Sequence, residues 1–216
     1  MGRDDRKGKR NNRNNKVGTR VPELGYYIII TDTEETEKNY FEGLRDSIPN
    51  ETKHKIVVKV KKSNTKDLVE TAQELRSEDP QYRNVWIVFD RDQVKDFDQI
   101  ISEAHRKDIE VGWSNPCIEI WFFSYFGAIP NIKESWNCCD EFAKLYLKKT
   151  GQKYEKSGKD IYAKLNQFGD EKNAIEISKR KLKEELEKDC NSKPSTMYTA
   201  NTVFRLVEEI KSKINN

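Results

Sequence analysis

Three acidic features of this chain sit where carboxylates can do chemistry. Asp90-Arg91-Asp92 follows the apolar run Val85-Trp86-Ile87-Val88-Phe89. A continuously apolar strand is buried, and in extended chain residues two apart point to one side. Asp90 and Asp92 could then face one hard cation, which takes oxygen ligands. The same pair also suits a plain polar strand end, with Asp as turn former. Asp32 lies just past Tyr26-Tyr27-Ile28-Ile29-Ile30 in a similar way. If the two strands are neighbours, three carboxylates converge, and a divalent ion is the usual remedy for their repulsion. The plainer role for Asp32, and for Glu34, Glu35 and Glu37, is to cap a following helix or complement its dipole. Glu119 is the only charged residue from Cys117 to Ile129, flanked by Ile118, Ile120, Trp121, Phe122 and Phe123. A helix apolar on every side is buried, and a buried carboxylate must be paired, protonated or metal-bound. A Lys or Arg partner, or the helix N-terminus, would satisfy it as well as an ion.

Other chemistries find little support. His54 and His105 read as surface positions, no nucleophile has a matching base, and neither G-x-x-x-x-G-K-[ST] nor G-x-G-x-x-G occurs. Acyl transfer and nucleotide-cradling loops are therefore not expected.

The elements that must position these acids alternate. Tyr26–Ile30, Ile56–Val60, Val85–Phe89 and Ile109–Trp113 are short and β-branched or aromatic, as strands are. Between them, Thr36–Arg45, Lys66–Arg76 (with Thr65 as a candidate cap) and Phe97–His105 carry apolar residues at helical spacing. The order β-α-β-α-β-α-β predicts an α/β fold, a mostly parallel sheet with helices on both faces. Ligands of such sheets gather at the carboxyl ends of the strands. Asn115 and Pro116 read as N-cap and first residue of a helix over about 117–126. After Gly127 the chain reads as helices at Glu141–Lys149, Ile161–Phe168, Ala174–Lys188 and Thr199–Ile214. These spans predict an α-helical C-terminal extension, residues 131–216, packed on an α/β domain, residues 21–130.

Composition bounds the setting. Of 216 residues, 35% are hydrophobic and 36% charged, so the chain is very soluble yet keeps apolar blocks enough for a core. Residues 1–20 hold eight Lys/Arg against Asp4 and Asp5; that +6 leaves −3 on the rest of a chain with net charge +3. Such a start is either a solvated tail or an arm that touches nucleic-acid phosphates. It has no apolar core of the signal-peptide kind, and no stretch approaches the about 20 apolar residues of a membrane span. Cys117, Cys138, Cys139 and Cys190 form no C-x-x-C pair, and the vicinal Cys138-Cys139 is a poor zinc clamp, which predicts reduced thiols in a cytoplasmic protein.

Several blocks resemble those of RloB-like proteins. Ile28-Ile29-Ile30-Thr31-Asp32 followed by Thr36-Glu37-Lys38-Asn39-Tyr40-Phe41 resembles the family's opening, an apolar strand ending in acid-Gly and then a Thr-Glu-x-x-Tyr-Phe helix start. Val88-Phe89-Asp90-Arg91-Asp92, Ser114-Asn115-Pro116-Cys117-Ile118-Glu119-Ile120-Trp121 and Lys193-Pro194-Ser195-Thr196 resemble later blocks, in the same order. The family is similar to Toprim domains. That resemblance implies a Toprim-like sheet and Mg²⁺ (or Mn²⁺) at Asp90, Asp92, Glu119 and Asp32. It implies phosphodiester chemistry on DNA or RNA, including tRNA, and a role in bacterial anti-phage or restriction-linked loci, often beside an ATPase. A homo-oligomer remains open. The chain departs from the pattern twice: Asp32-Thr33 stands for the family's acid-Gly pair, and Tyr125 for a frequent His. On this reading Asp32 orients or activates a water, while Arg91 and the basic cluster Lys153, Lys156 and Lys159 meet substrate phosphates, unless those lysines are simply solvated. The competing expectation is a non-catalytic metal- or nucleotide-binding sensor whose helical half docks a partner ATPase.

Overall fold

The computed structural model describes residues 24–61, 65–92, 94–189 and 191–214. The basic segment 1–20 and Cys190, on which two of the expectations above rest, lie outside them.

The four apolar runs form strands β1 (Tyr27–Thr31), β2 (Ile56–Val60), β3 (Asn84–Asp90) and β4 (Glu110–Ser114). They pair in parallel in the order β2-β1-β3-β4. Every residue of β1 is buried, as are Val85 through Phe89 of β3, so neither central strand alternates polar with apolar residues. Parallel strands need crossovers, and the helices α1 (Thr36–Asp46), α3 (Leu68–Glu78) and α4 (Phe97–Arg106) supply them. A short helix α2 (Asn50–Lys53) follows α1.

The chain leaves β1 toward β2, then returns across the sheet to β3 and β4. Right-handed crossovers place α1 on one face and α3 and α4 on the other. The direction of travel therefore reverses between β1 and β3. A crevice opens at the carboxyl ends of two such strands, and this is where open α/β sheets bind ligands.

The rest of the chain is helical, as expected: α5 (Glu119–Tyr125), α6 (Ser135–Thr150), α7 (Ile161–Phe168), α8 (Glu171–Lys188) and α9 (Val203–Ile214). All seven residues of α5 are buried, because α6, α7 and α8 pack around it while α9 packs on β4. Apolar packing runs without a break from the sheet through these helices. Among the described residues, no helix is long and apolar enough to cross a membrane.

Helix α6 starts at Ser135 rather than Glu141 and α8 at Glu171 rather than Ala174, and two further boundary differences have local physical reasons. The last helix starts at Val203 rather than Thr199, because the segment before it seals the edge of β4. Thr202 N donates to Trp113 O (2.8 Å), Thr202 Oγ1 donates to Val111 O (2.8 Å), and Trp113 N donates to Thr202 Oγ1 (3.0 Å). These bonds occupy backbone groups that an open edge strand would leave exposed. Asn115 does not cap α5. Its amide donates to Pro194 O and Ser195 O at 3.0 and 3.1 Å, the Asn115-Pro116 bond is cis, and α5 begins only at Glu119.

Helices α1 and α7 meet at Gly43, where an added Cβ would lie 2.5 Å from Tyr162 Cβ. Alanine there gains about 1 kcal/mol of helix propensity, but overpacking typically costs about 1–3 kcal/mol. Gly43→Ala is expected to destabilise the protein by up to about 2 kcal/mol in urea unfolding. An increase in stability would show that the two helices have room to part.

Candidate metal centre

The loops after β3 and β4 are zipped together, and this sets the acids in place. Arg91 N donates to Ser114 O (2.8 Å), Asp92 N to Pro116 O (3.0 Å) and Ile118 N to Asp90 Oδ2 (3.1 Å). Asp90 thus does the capping work assigned above to Asn115, and the start of α5 is held against the end of β3. The late block 193–196 braces this loop from behind. Besides the Asn115 bonds, Ser195 donates through N (2.9 Å) and Oγ to the Asp98 carboxylate.

Asp32, Asp90, Asp92 and Glu119 all line one cavity of about 750 Å³ at the carboxyl ends of β1 and β3. Its walls carry seven carboxylates (Asp32, Glu35, Glu37, Asp90, Asp92, Asp96, Glu119) against three lysines, Lys66, Lys95 and Lys156. That excess of negative charge favours a cation and repels a bare phosphate.

Glu37 is the residue that sequence reasoning undervalued. It read as a first-turn acid of α1, but it is 3% exposed and faces the cavity. The Thr33 hydroxyl donates to its Oε2. Burial pushes the Glu37 carboxyl up, and Glu119 pushes it further. Burial likewise raises Asp90 well above the usual carboxylate range, with Glu37, Glu119 and Asp32 adding to it. Asp32 is partly buried and pushed up to about 7 by burial and then Glu37, with Asp92 adding a little; its own backbone and the Thr65 hydroxyl pull the other way. Thr65, expected to cap α3, lies in a short 3-10 turn and serves this site instead.

Glu119 is 1% exposed and accepts a hydrogen bond from Tyr154 Oη at 2.9 Å. Tyr154 is held by rings, packed edge-on against Phe142 at 4.9 Å and tilted on Tyr146 at 5.6 Å. Lys156 Nζ lies 3.9 Å from Glu119 Oε1, and Thr36 Oγ1 donates to Lys156 O (3.3 Å), tying this loop to α1. The alternative of a lysine partner for Glu119 is therefore partly realised.

Asp92 does not continue the strand as the alternation argument assumed. The chain turns after Asp90, with Val94 N donating to Arg91 O at 2.8 Å. Asp92 sits exposed at the cavity mouth, where Ser135 Oγ donates to its Oδ1. Arg91 turns into a second cavity that shares Asp92, Ser135 and Lys156 with the first. Lys156 reaches both cavities, whereas Lys153 and Lys159 line separate depressions elsewhere. Tyr125 is also outside the site: its hydroxyl pairs with Tyr40 Oη (2.8 Å) and with Glu171 (3.2 Å) in the helical core.

The acids fit a hard divalent ion on one specific ground. Asp32 Oδ1 and Asp90 Oδ1 are buried without a hydrogen-bond partner. Unpartnered buried carboxylate oxygens are costly unless protonated or bound to a cation. No three of the aspartate and glutamate oxygens crowd within 4.8 Å of one another among the described residues; the one group that does is Cys117, Glu119 and Cys139. Glu37 and Asp90 are within hydrogen-bond reach of each other, and Mg²⁺ keeps several waters and needs only one or two carboxylates directly.

Comparison with curated proteins found no match, and comparison with solved structures found none either. A family model described as RloB-like protein matches residues 27–210. That span takes in β1 with Asp32, Asp90-Arg91-Asp92, the loop into α5 and the bracing block 193–196, and the chain belongs to the RloB-like family.

Proposed function

We propose that this protein is a Mg²⁺-dependent phosphodiesterase acting on nucleic acid, with a Toprim-like site. The observation that carries this reading is the pair of unpartnered buried oxygens, Asp32 Oδ1 and Asp90 Oδ1, at the point where the sheet reverses direction. Asp90, Glu37 and Glu119 would hold the ion beside Asp32, with Asp92 at the mouth. Such an ion, when bound, neutralises charge developing on a scissile phosphate and makes the attacking water more acidic. Asp32, raised to about 7 without an ion, would ionise once a cation binds beside it and then act as a general base toward the attacking water. That role answers the departure at Asp32-Thr33: the shorter acid is positioned to move a proton. Lys156 and Arg91 supply the positive charge at the mouth. On family resemblance alone, the reading extends to anti-phage defence beside an ATPase.

The test is incubation with single- and double-stranded DNA, RNA and tRNA. Cleavage is expected with Mg²⁺ or Mn²⁺ and none in excess chelator. Undiminished cleavage in chelator, or none on any nucleic acid, contradicts the reading.

The second cavity suggests where a strand lies. Its lining includes the cations Arg91, Lys133 and Lys156, the acids Asp92 and Glu134, and the aromatics Tyr198 and Trp136, with Lys133 Nζ 5.0 Å from the Tyr198 ring centroid. Trp136 is 73% exposed, while Trp86, Trp113 and Trp121 are at most 4% exposed. An exposed aromatic beside cations is a stacking platform for single-stranded bases, worth about 1–3 kcal/mol per base. Oligonucleotide binding is expected to quench tryptophan emission from this one position, and Trp136→Ala to weaken binding about tenfold. Unchanged affinity would place the strand elsewhere.

A further inference from the structure

We propose that Cys117, Cys139 and Glu119 form a second metal site, for a thiophilic ion such as Zn²⁺, which competes with the carboxylate site for Glu119. The three ligand atoms lie within 4.8 Å of one another, a grouping unmatched among the described residues. They come from two elements. Cys117 and Glu119 flank the start of α5, and Cys139 lies in the first turns of α6, which packs on α5.

The surroundings suit an ion. Cys117 is 3% exposed and Glu119 1%, whereas Cys139 is half-buried. Cys117 and Glu119 line the acidic cavity and Cys139 lines its neighbour, so the group is reached from both. The Cys117 thiol is also within hydrogen-bond reach of Cys138, which offers a fourth donor if water does not take that position. Tetrahedral Zn²⁺, with bonds of about 2.3 Å to sulfur and 2.0–2.2 Å to oxygen, sets its ligands roughly 3.3–3.8 Å apart. A closure on the order of 1 Å therefore suffices.

Donor chemistry separates this group from the acids around it. Thiolates select Zn²⁺ and reject Mg²⁺, whereas a set of carboxylates alone accepts Mg²⁺. Lys156 would compete with a cation here: Nζ is 3.9 Å from Glu119 Oε1, and the ammonium also acts on Cys139. Its side chain is 54% exposed, so it can swing into solvent. An ion held here withdraws Glu119 from the carboxylate site, which makes Zn²⁺ an antagonist of Mg²⁺. The inference shares Glu119 with the proposed active centre but does not require that centre to be catalytic.

The test uses the full chain, reduced and stripped of metal, titrated with Co²⁺ as a spectroscopic probe. One equivalent is expected to produce sulfur-to-cobalt charge-transfer absorption and the visible bands of tetrahedral Co²⁺, both erased by Zn²⁺. Cys139→Ser, at a half-buried position, should weaken Co²⁺ binding at least tenfold, with circular dichroism confirming the fold. Lys156→Met should strengthen it, since the competing ammonium is gone. Asp90→Asn should leave the bands intact whatever it does to cleavage, so the two readings fail separately. Absence of the charge-transfer band overturns the proposal. So does unchanged binding in Cys139→Ser, binding no stronger in Lys156→Met, or loss of the band on Cys190→Ser alone.

Discussion

Asp90→Asn is expected to lower metal-dependent cleavage on the order of 10³-fold or more, beyond the 10–100-fold typical of groups that only orient metal ligands. The same substitution should not weaken the metal-free fold. Asp90 Oδ2 accepts the Ile118 N–H at 3.1 Å, and an asparagine oxygen can accept it equally well. The charge removed is one that burial and its neighbours Glu37, Glu119 and Asp32 all oppose. In chelator, the melting temperature of Asp90→Asn should equal or exceed that of the wild type. Added Mg²⁺ should then raise the wild-type melting temperature and leave the variant unmoved, since an ion at a hundred times its dissociation constant stabilises a fold by about 2.7 kcal/mol. A variant that melts lower in chelator would make Asp90 a structural residue first.

The second large effect is in pH. An aspartate ordinarily ionises near 3.8, and Asp32 in the metal-free fold does so at about 7. Between those values the folded chain keeps a proton that the unfolded chain has released, so raising the pH favours unfolding. The stability linked to Asp32 is fully present below about pH 4 and gone by about pH 7; it amounts to a few kcal/mol at most. Glu37 and Asp90 are shifted in the same direction by burial and add with the same sign. Glu103 and Glu185 are lowered; their opposing contributions are lost as pH falls, at the acid end of the window. Denaturant unfolding in chelator should therefore show stability falling from pH 5 to pH 7.5. Saturating Mg²⁺ should flatten that fall, because a bound cation keeps the carboxylates ionised, and the gap between the two curves should widen with pH. Stability rising across the window in chelator would mean that the cavity acids titrate normally.

Much of this site could be read from residue order, and the exceptions have physical causes. Continuous apolar strands ending in Asp32 and Asp90 are legible because burial of both faces forbids alternation, so the polar strand end stands out. Glu119 is legible for the same reason, as a charge without a polar neighbour. Glu37 was hidden by its position: an acid two residues into a helix complements the dipole wherever it points, and only the packing of α1 against β1 and β2 turns it inward. Cys139 became a partner of Cys117 only through the docking of α6 on α5, a contact between residues 22 positions apart with no local signature. Lys153, Lys156 and Lys159 look alike in sequence, and the bond from Thr36 to the Lys156 carbonyl selects one of them for the cavity. The expected alternation of Asp90 and Asp92 failed because the bond from Val94 to Arg91 turns the chain between them. The basic Arg91 was carried along by that turn into the neighbouring cavity.

The central claim is that the cavity acids hold a hard divalent ion. Crystals grown or soaked with Mn²⁺ test it most directly, through the anomalous scattering of the ion. The account predicts a peak bounded by the Asp90, Glu37 and Glu119 carboxylates, lost in Asp90→Asn. A map with no peak among these residues at saturating Mn²⁺, or an undiminished peak in the variant, would contradict it.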